Sequence, residues 1–244
     1  MTEETKITEL PVQEWKEVAN LVLAVAEEAT VRISDGKMLI REMDPSQIAM
    51  VSFERDINYH GEDKNFRINF NDLNKHLNGF NSTDVVSLSI SDNKVLLKKG
   101  RHKISLSMLE ISSNNLPRFP ELKTTNTVPV LNVKNAVLVV KPCSSFIVIE
   151  AKDNEVNGLG KGDNADAEKD ISEGPCFPAR AMFPLDYLEK ILPAGGEFHF
   201  GDSMPCRVEY ELYKFGFEDK EKTKPKNTKY GKVFYFLAPR IESE

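Results

Sequence analysis

The sequence predicts an α+β protein of two similar domains, each made of two units in which a helix is followed by a β-hairpin. Four turns built around aspartate recur along the chain, and their aspartates are 57, 61 and 49 residues apart. They are Asp35, Asp92, Asp153 and Asp202. Asp-Gly and Asp-Asn suit tight hairpins because both residues tolerate a positive φ. A repeat of about 55 residues indicates one supersecondary unit used several times.

The first half of the chain is predicted to contain two helices with strands after each. Val12, Trp15, Ala19, Val22 and Ala26 recur at helical spacing and predict the first helix. The second helix is predicted at residues 71–79, where two leucines share one side. Strands are predicted at residues 30–33, 37–42, 48–53, 85–90, 94–98 and 103–109.

The second half repeats this plan less regularly. A helix is predicted at residues 133–141, because Pro142 must end it. Another begins at Pro184, followed by Leu185, Leu188, Ile191 and Leu192. Strands are predicted at residues 146–151, 196–200, 207–212 and 232–237. Residues 112–129 are polar and broken by prolines, so they are predicted to link domains at 1–111 and 130–244.

The composition is that of an ordinary soluble globular protein, with 40% hydrophobic and 29% charged residues. No apolar run of about 18 residues exists, which argues against a membrane span. Cys143, Cys176 and Cys206 lack CxxC spacing and the four histidines are scattered, so we expect no disulfide framework, metal or cofactor. The net charge of −6 leaves nucleic-acid binding open, because binding follows the local distribution of charge.

No motif predicts catalysis. Residues 158–162 (GLGKG) lack the Gly-Lys-Ser/Thr ending of a phosphate loop and precede Asp163 and Asp166, whose charge would repel a phosphate. A flexible or edge strand is the better interpretation. The acidic stretch does not have the spacing of a calcium loop, and no Gly-x-Ser-x-Gly elbow or Cys-His signature occurs. We therefore predict no catalytic residue.

Three segments resemble one known family. Residues 41–51 (REMDPSQIAMV) resemble the Met-Asp-x-Ser-His-Val-x-Leu-Val stretch of the proliferating cell nuclear antigen (PCNA) sliding clamps, with Gln47 where many members have histidine. Residues 235–242 (YFLAPRIE) resemble the Tyr-Leu-Ala-Pro-Lys-Ile-Glu ending of that family. Residues 204–210 (MPCRVEY) are similar to its Val-Pro-Leu-x-Val-Glu-Tyr strand. The order and spacing agree over essentially the whole chain.

The resemblance implies a DNA-clamp fold of two domains with duplicated βαβββ units. Three subunits would close a ring with helices inside and sheets outside. Such a ring encircles duplex DNA without reading its sequence and tethers DNA polymerase, clamp loader, nuclease and ligase. It has no catalytic site. The expected protein is a DNA-associated, intracellular processivity factor in replication and repair, and the divergent helices favour an archaeal or viral source.

The resemblance also implies three working surfaces. A hollow with proline walls would take aromatic peptide motifs, although Ile48 and Met50 could equally be core. Its predicted residues are Met43, Ile48, Met50, Phe119, Pro120, Pro205, Ala238, Pro239 and Ile241. The helices would face DNA phosphates through Lys16, Lys75, Lys134, Lys141 and Lys190. Lys134 and Lys141 are seven residues apart and share a helix face.

The third surface would join neighbouring subunits, edge strand to edge strand. The matching segments are residues 98–109 and 160–171, and their charges are opposite. Lys98, Lys99, Arg101 and Lys103 face Asp163, Asp166, Glu168 and Asp170 in this prediction. The opposition of charge indicates a head-to-tail contact, and the resemblance implies a homotrimer. Two alternatives stay open: a specialised or checkpoint-type subunit that works only in a heterotrimer, and a DNA-modifying or nucleotide-handling enzyme. The lysine-rich residues 218–230 have no predicted role.

Overall fold

The computed structural model describes residues 4–111, 116–123, 126–216 and 226–240. The chain divides into two compact units. The first contains residues 1–45 and 51–117, and the second contains residues 46–50 and 118–244. The division therefore falls inside the predicted linker, and the last part of that linker, Asn126–Pro129, is a strand of the second unit.

The element order repeats one motif, strand–helix–strand–strand–strand, four times. The first unit contains β1 (Thr5–Pro11), α1 (Val12–Leu23), β2 (Glu28–Ser34), β3 (Lys37–Met43), β4 (Ala49–Asp56), β5 (Lys64–Asn69), α2 (Phe70–Leu77), β6 (Val85–Ser91), β7 (Lys94–Lys99) and β8 (His102–Ser107). The second contains β9 (Asn126–Pro129), α3 (Val130–Val140), β10 (Phe146–Lys152), β11 (Glu155–Lys161), β12 (Asp166–Glu173), β13 (Ala179–Pro184), α4 (Leu185–Ile191), β14 (Glu197–Phe200), β15 (Cys206–Gly216) and β16 (Lys226–Leu237).

The two repeats of each unit exchange strands. In the first unit the strand before a helix pairs with the strand after the other helix: β1 with β6, and β5 with β2. The second unit does the same, with β9 on β14 and β13 on β10. All of these pairs are antiparallel. Neither repeat can therefore complete its sheets without the other, which makes each unit one folding body.

Sheet order places β8 at one edge of a sheet in the first unit and β12 at one edge of a sheet in the second. In the first unit one sheet runs β1-β6-β7-β8, and in the second one runs β12-β11-β10-β13. Strands β8 and β12 are therefore edges, as the sequence predicted. The remaining strands are ordered β5-β2-β3-β4 in the first unit and β16-β15-β14-β9 in the second.

Three of the four aspartate turns are the two-residue hairpins that the sequence predicted. Asp35, Asp92 and Asp153 have φ values of 50°, 49° and 53°, between strands separated by only two residues. The fourth prediction was wrong in its geometry: β14 and β15 are joined by five residues, and the positive φ is at Ser203. Asp202 instead accepts a hydrogen bond from the backbone N–H of Arg180.

The sequence pattern does not predict the strands that precede the helices. Strands β1, β5, β9 and β13 each run into the next helix with no residue between them. No turn residue therefore marks where the extended backbone ends. Three of the junctions are prolines, and at the fourth Asn69 caps α2 by accepting a hydrogen bond from the Asp72 N–H at 2.9 Å.

The glycine pattern of residues 158–162 has a packing role. Strand β11 is an interior strand between β10 and β12, so the expectation of a flexible or edge strand was wrong. A Cβ on Gly158 would lie 2.8 Å from Ala136 Cβ, and a Cβ on Gly160 would overlap Val140. Alternate positions of a strand share one face. These two glycines therefore let α3 pack closely against the sheet.

No helix in the described part of the chain is long and apolar enough to cross a bilayer.

Candidate peptide, nucleic-acid and subunit surfaces

The predicted peptide surface lies on the second unit at the end of β16. The backbone N–H of Ala238 donates to the Ile48 carbonyl at 2.8 Å, which holds residues 46–50 against the C-terminal segment. Cys206 of β15 pairs with Leu237 of β16, so Pro205 and Ala238 lie next to each other just beyond the end of this strand pair. Ile48 is 36% exposed and Pro205, Ala238 and Pro239 are half-buried.

Phe119 forms an aromatic wall beside this segment. Its ring centroid lies 5.8 Å from that of Phe234 and 5.2 Å from that of Phe236. Phe119 is 42% exposed and Pro120 is half-buried, so the wall is open to solvent. Phe234 and Phe236 were not among the predicted residues. The alternating aromatic residues near the C-terminus were the signal, because alternate strand residues share a face.

The structure does not place the remaining predicted peptide residues on this exposed surface. Met50 is 2% exposed and its side chain belongs to the core, which is the alternative left open by the sequence. Met43 ends β3 in the first unit and is half-buried. Ile241 lies outside the described residues. Burial raises the pKa of the neighbouring Cys206 thiol, so this cysteine is an apolar core residue and not a nucleophile.

The five predicted DNA-facing lysines all lie on or beside helices: Lys16 on α1, Lys75 on α2, Lys134 and Lys141 at α3, and Lys190 on α4. Three of them already have partners. Lys75 Nζ lies 3.7 Å from Asp72 Oδ1, and Lys141 Nζ lies 2.8 Å from Glu189 Oε1. Lys190 Nζ lies 5.8 Å from the centroid of its neighbouring tyrosine ring.

Helix α3 also exposes apolar residues beside its lysines. Leu131, Leu138 and Val139 are 51%, 61% and 42% exposed. Apolar side chains cannot neutralise phosphates, so any electrostatic attraction of this helix to DNA would come from its two lysines.

The two predicted subunit edges carry opposite charge, but the basic edge is partly neutralised within its own unit. Lys98 and Lys99 lie on β7, where they form ion pairs with Glu4 and Asp84. Hydrogen bonds from these lysines lower the pKa of the Glu4 and Asp84 carboxyls.

Arg101 and Lys103 are exposed at and on the edge strand β8. In the second unit, Asp163 lies in the turn before β12, and Asp166, Glu168 and Asp170 are exposed along it. Among the described residues no group of three or more His, Cys, Asp or Glu side chains could hold a metal ion.

The comparisons with known proteins agree with this architecture. No family model matches the chain. The DNA polymerase sliding clamp of Cenarchaeum symbiosum is 24% identical, covering 93% of this chain and 95% of its own length. That of Archaeoglobus fulgidus is 25% identical, covering 94% and 96%.

The fold is shared by solved structures, including the following two. The "C-terminal region of FEN-1 bound to A. fulgidus PCNA" has a TM-score of 0.80 at 22% identity and covers 98% of this chain and 100% of its own. The PCNA2-PCNA3 complex from Sulfolobus tokodaii has a TM-score of 0.71 at 15% identity, covering 98% and 99%. The fold is therefore the α+β DNA-clamp fold. The resemblance to PCNA-type sliding clamps that the sequence motifs indicated is confirmed.

Proposed function

We propose that the chain is a subunit of a DNA sliding clamp, a processivity factor that encircles duplex DNA and tethers DNA polymerase and other replication and repair proteins. The observation that carries the proposal is the fourfold βαβββ duplication, which solved PCNA structures match over 98% of the chain. The proposed role is that of a scaffold: it needs no chemistry at the surfaces described above, and the protein works while bound to DNA.

Three copies would close the ring through β8 of one copy and β12 of the next. Edge strands with unpaired backbone groups favour such pairing, and opposite charge sets its direction. Arg101 and Lys103 supply the positive side, and Asp166, Glu168 and Asp170 supply the negative side.

The oligomeric state tests this arrangement. Arg101→Glu with Lys103→Glu should lower the mass measured by light scattering from about three times 27.6 kDa toward that of one chain. Adding Asp166→Lys and Asp170→Lys should restore the trimer. Lys152→Glu, at the exposed end of β10, is the matched control and should leave the mass unchanged. A trimer that survives the first double reversal would refute the interface.

DNA would be held by ring closure more than by attraction. The helix lysines are few and three of them have partners, so contact with DNA should be weak and sensitive to salt. The chain should stimulate a polymerase on primed circular DNA and not on short linear DNA. Tight retention on a linear duplex with free ends at about 0.5 M salt would contradict this mechanism, because electrostatic contacts are screened there.

Client proteins would dock short hydrophobic or aromatic motifs on the surface formed by Ile48, Phe119, Pro205, Ala238 and Pro239. An exposed ring beside prolines provides a rigid apolar hollow for an aromatic anchor. Phe119→Ala should weaken binding of a peptide from the FEN-1 C-terminal region while leaving the mass of the ring unchanged.

A heteromeric ring is the second candidate. Lys98 and Lys99 lie on β7 and are paired inside their own unit, so the predicted basic segment presents fewer available cations than β12 presents carboxylates. A different subunit could complement the acidic edge better. Purified chain that remains monomeric and does not stimulate polymerase by itself would favour this candidate.

A further inference from the structure

A cavity of about 290 Å³ lies beside the peptide surface on the second unit and carries two arginines. We call it the two-arginine cavity, and its main lining residues are Arg180, Met182, Asp202, Ser203, Pro239 and Arg240. Pro239 also belongs to the proposed peptide surface. The cavity is therefore continuous with the place where a client peptide would lie.

Arg240 is held in place through its backbone and through the face of its guanidinium group. Its backbone N–H donates to the Met182 carbonyl at 2.8 Å, which fixes the C-terminal segment along the edge strand β13. Its guanidinium carbon lies 4.4 Å from the centroid of the Phe146 ring. Stacking uses the face of the guanidinium and not its N–H groups, so the group can still bind a carboxylate in its plane.

Arg180 forms the other side of the cavity and is anchored through its main chain. Its N–H donates to Asp202 Oδ1 at 3.0 Å, and its carbonyl accepts from the Ser203 N–H at 2.9 Å. One side-chain nitrogen, Nη1, donates to Glu150 Oε1 at 2.7 Å. This bond fixes one nitrogen of the guanidinium, and Arg180 lines the cavity as its second positively charged side chain.

The charges of the cavity favour an anionic ligand of modest affinity. Glu150 neutralises much of the charge of Arg180, and the Asp202 carboxylate is engaged by a backbone N–H. Arg240 makes no ion pair within the described part of the chain, so its positive charge dominates the open side. Because both arginines are at least partly exposed, the gain from binding one carboxylate is that of a surface charge pair.

We propose that the two-arginine cavity binds the carboxylate of an aspartate or glutamate that neighbours the hydrophobic anchor of a client peptide. This inference rests on the proposed function and adds to it a preference among clients. The apolar surface at Ile48 and Phe119 provides affinity for the anchor, and the cavity selects peptides with an acidic residue within reach.

A peptide scan tests the preference. The probe is a fluorescent peptide of the FEN-1 C-terminal region in which each non-anchor position is changed in turn to glutamate and to glutamine. Binding to the full chain is measured by fluorescence anisotropy. At one or two neighbouring positions glutamate should bind about threefold to fivefold more tightly than glutamine. Arg240→Gln should abolish that difference, and Arg240→Lys should restore part of it because the charge returns without the planar fork.

The controls separate the two proposals. Lys152→Gln removes one positive charge from the same unit outside the cavity and should leave the glutamate preference intact. Equal affinities for glutamate and glutamine at every position, with the peptides still bound, would overturn this inference alone. Absence of binding by every peptide would overturn the docking part of the proposed function together with it.

Discussion

Replacing Gly160 by alanine tests whether the glycines of β11 exist to let α3 approach the sheet. A Cβ at this position would overlap Val140 Cγ1 and would lie 3.2 Å from Val140 Cβ and 3.4 Å from Ser144 Cβ. Val140 is 0% exposed, and so has little room to move. The new methyl group must therefore displace the end of α3 or force a strained Val140 rotamer.

The cost can be estimated from these contacts. Overpacking of a rigid core costs up to about 3 kcal/mol. Alanine recovers about 0.5–1 kcal/mol, because glycine loses more conformational entropy in a strand. The expected net loss is about 2 kcal/mol in the free energy of unfolding. Gly195→Ala, where a Cβ meets nothing within 4 Å, should change stability by less than about 1 kcal/mol and in the stabilising direction.

Urea unfolding at one fixed protein concentration measures both variants, because assembly makes stability depend on concentration. Val140→Ala supplies the matched double-mutant cycle. It should cost about 2 kcal/mol alone, through two lost methyl groups. The double variant, Val140→Ala with Gly160→Ala, should be no less stable than Val140→Ala alone, since the methyl group added at residue 160 fills the space vacated at residue 140. Additive effects within about 0.5 kcal/mol, or a neutral Gly160→Ala, would refute the packing argument.

Three further predictions concern buried polar groups. Glu14→Gln should cost about 3 kcal/mol, because it leaves the buried Arg55 charge without its ion-pair partner, and urea unfolding would contradict this if the loss were below about 1 kcal/mol. Burial lowers the pKa of His199 below its ordinary value of 6.5, so at a pH near and below 6.5 the unfolded chain binds more protons than the folded chain. The free energy of unfolding should therefore fall as the pH decreases through 6.5. His199→Gln should flatten this pH dependence in unfolding titrations. Asn126→Ala removes hydrogen bonds of 2.8 and 2.9 Å to the backbone of Phe177, and should lower stability by about 2 kcal/mol and speed hydrogen exchange of the Phe177 amide; unchanged exchange would contradict the role of this side chain.

The candidate surfaces were only partly accessible to sequence reasoning. The motif around Ile48 and Ala238 predicted the proposed peptide surface, because short segments of particular residue types resemble a known family. The same motif could not show that Met50 is buried while Ile48 is 36% exposed, since burial depends on which face of the strand meets the core. The pairing of Lys98 with Glu4 joins residues that are 94 positions apart, so no local pattern could reveal it.

Local chemistry by itself determined three of the hairpins of this protein. Aspartate at positive φ bends the chain within two residues, so Asp35, Asp92 and Asp153 mark their turns wherever the rest of the chain lies. The helices could also be predicted locally, since the spacing of apolar residues along a helix follows from helix geometry. The fourfold duplication and the fold class follow from these two signals.

Only the tertiary structure decided how strands pair between the repeats and how closely α3 packs against its sheet. Strands β1, β5, β9 and β13 pair with strands of the neighbouring repeat, and β1 lies about 80 residues from its partner β6. Long-range pairing leaves no period in the sequence. The glycines of β11 seemed to indicate a loose strand, because glycine is permissive in an isolated chain. Packed beneath α3 they have the opposite effect, since only the absence of a side chain allows helix and sheet to touch.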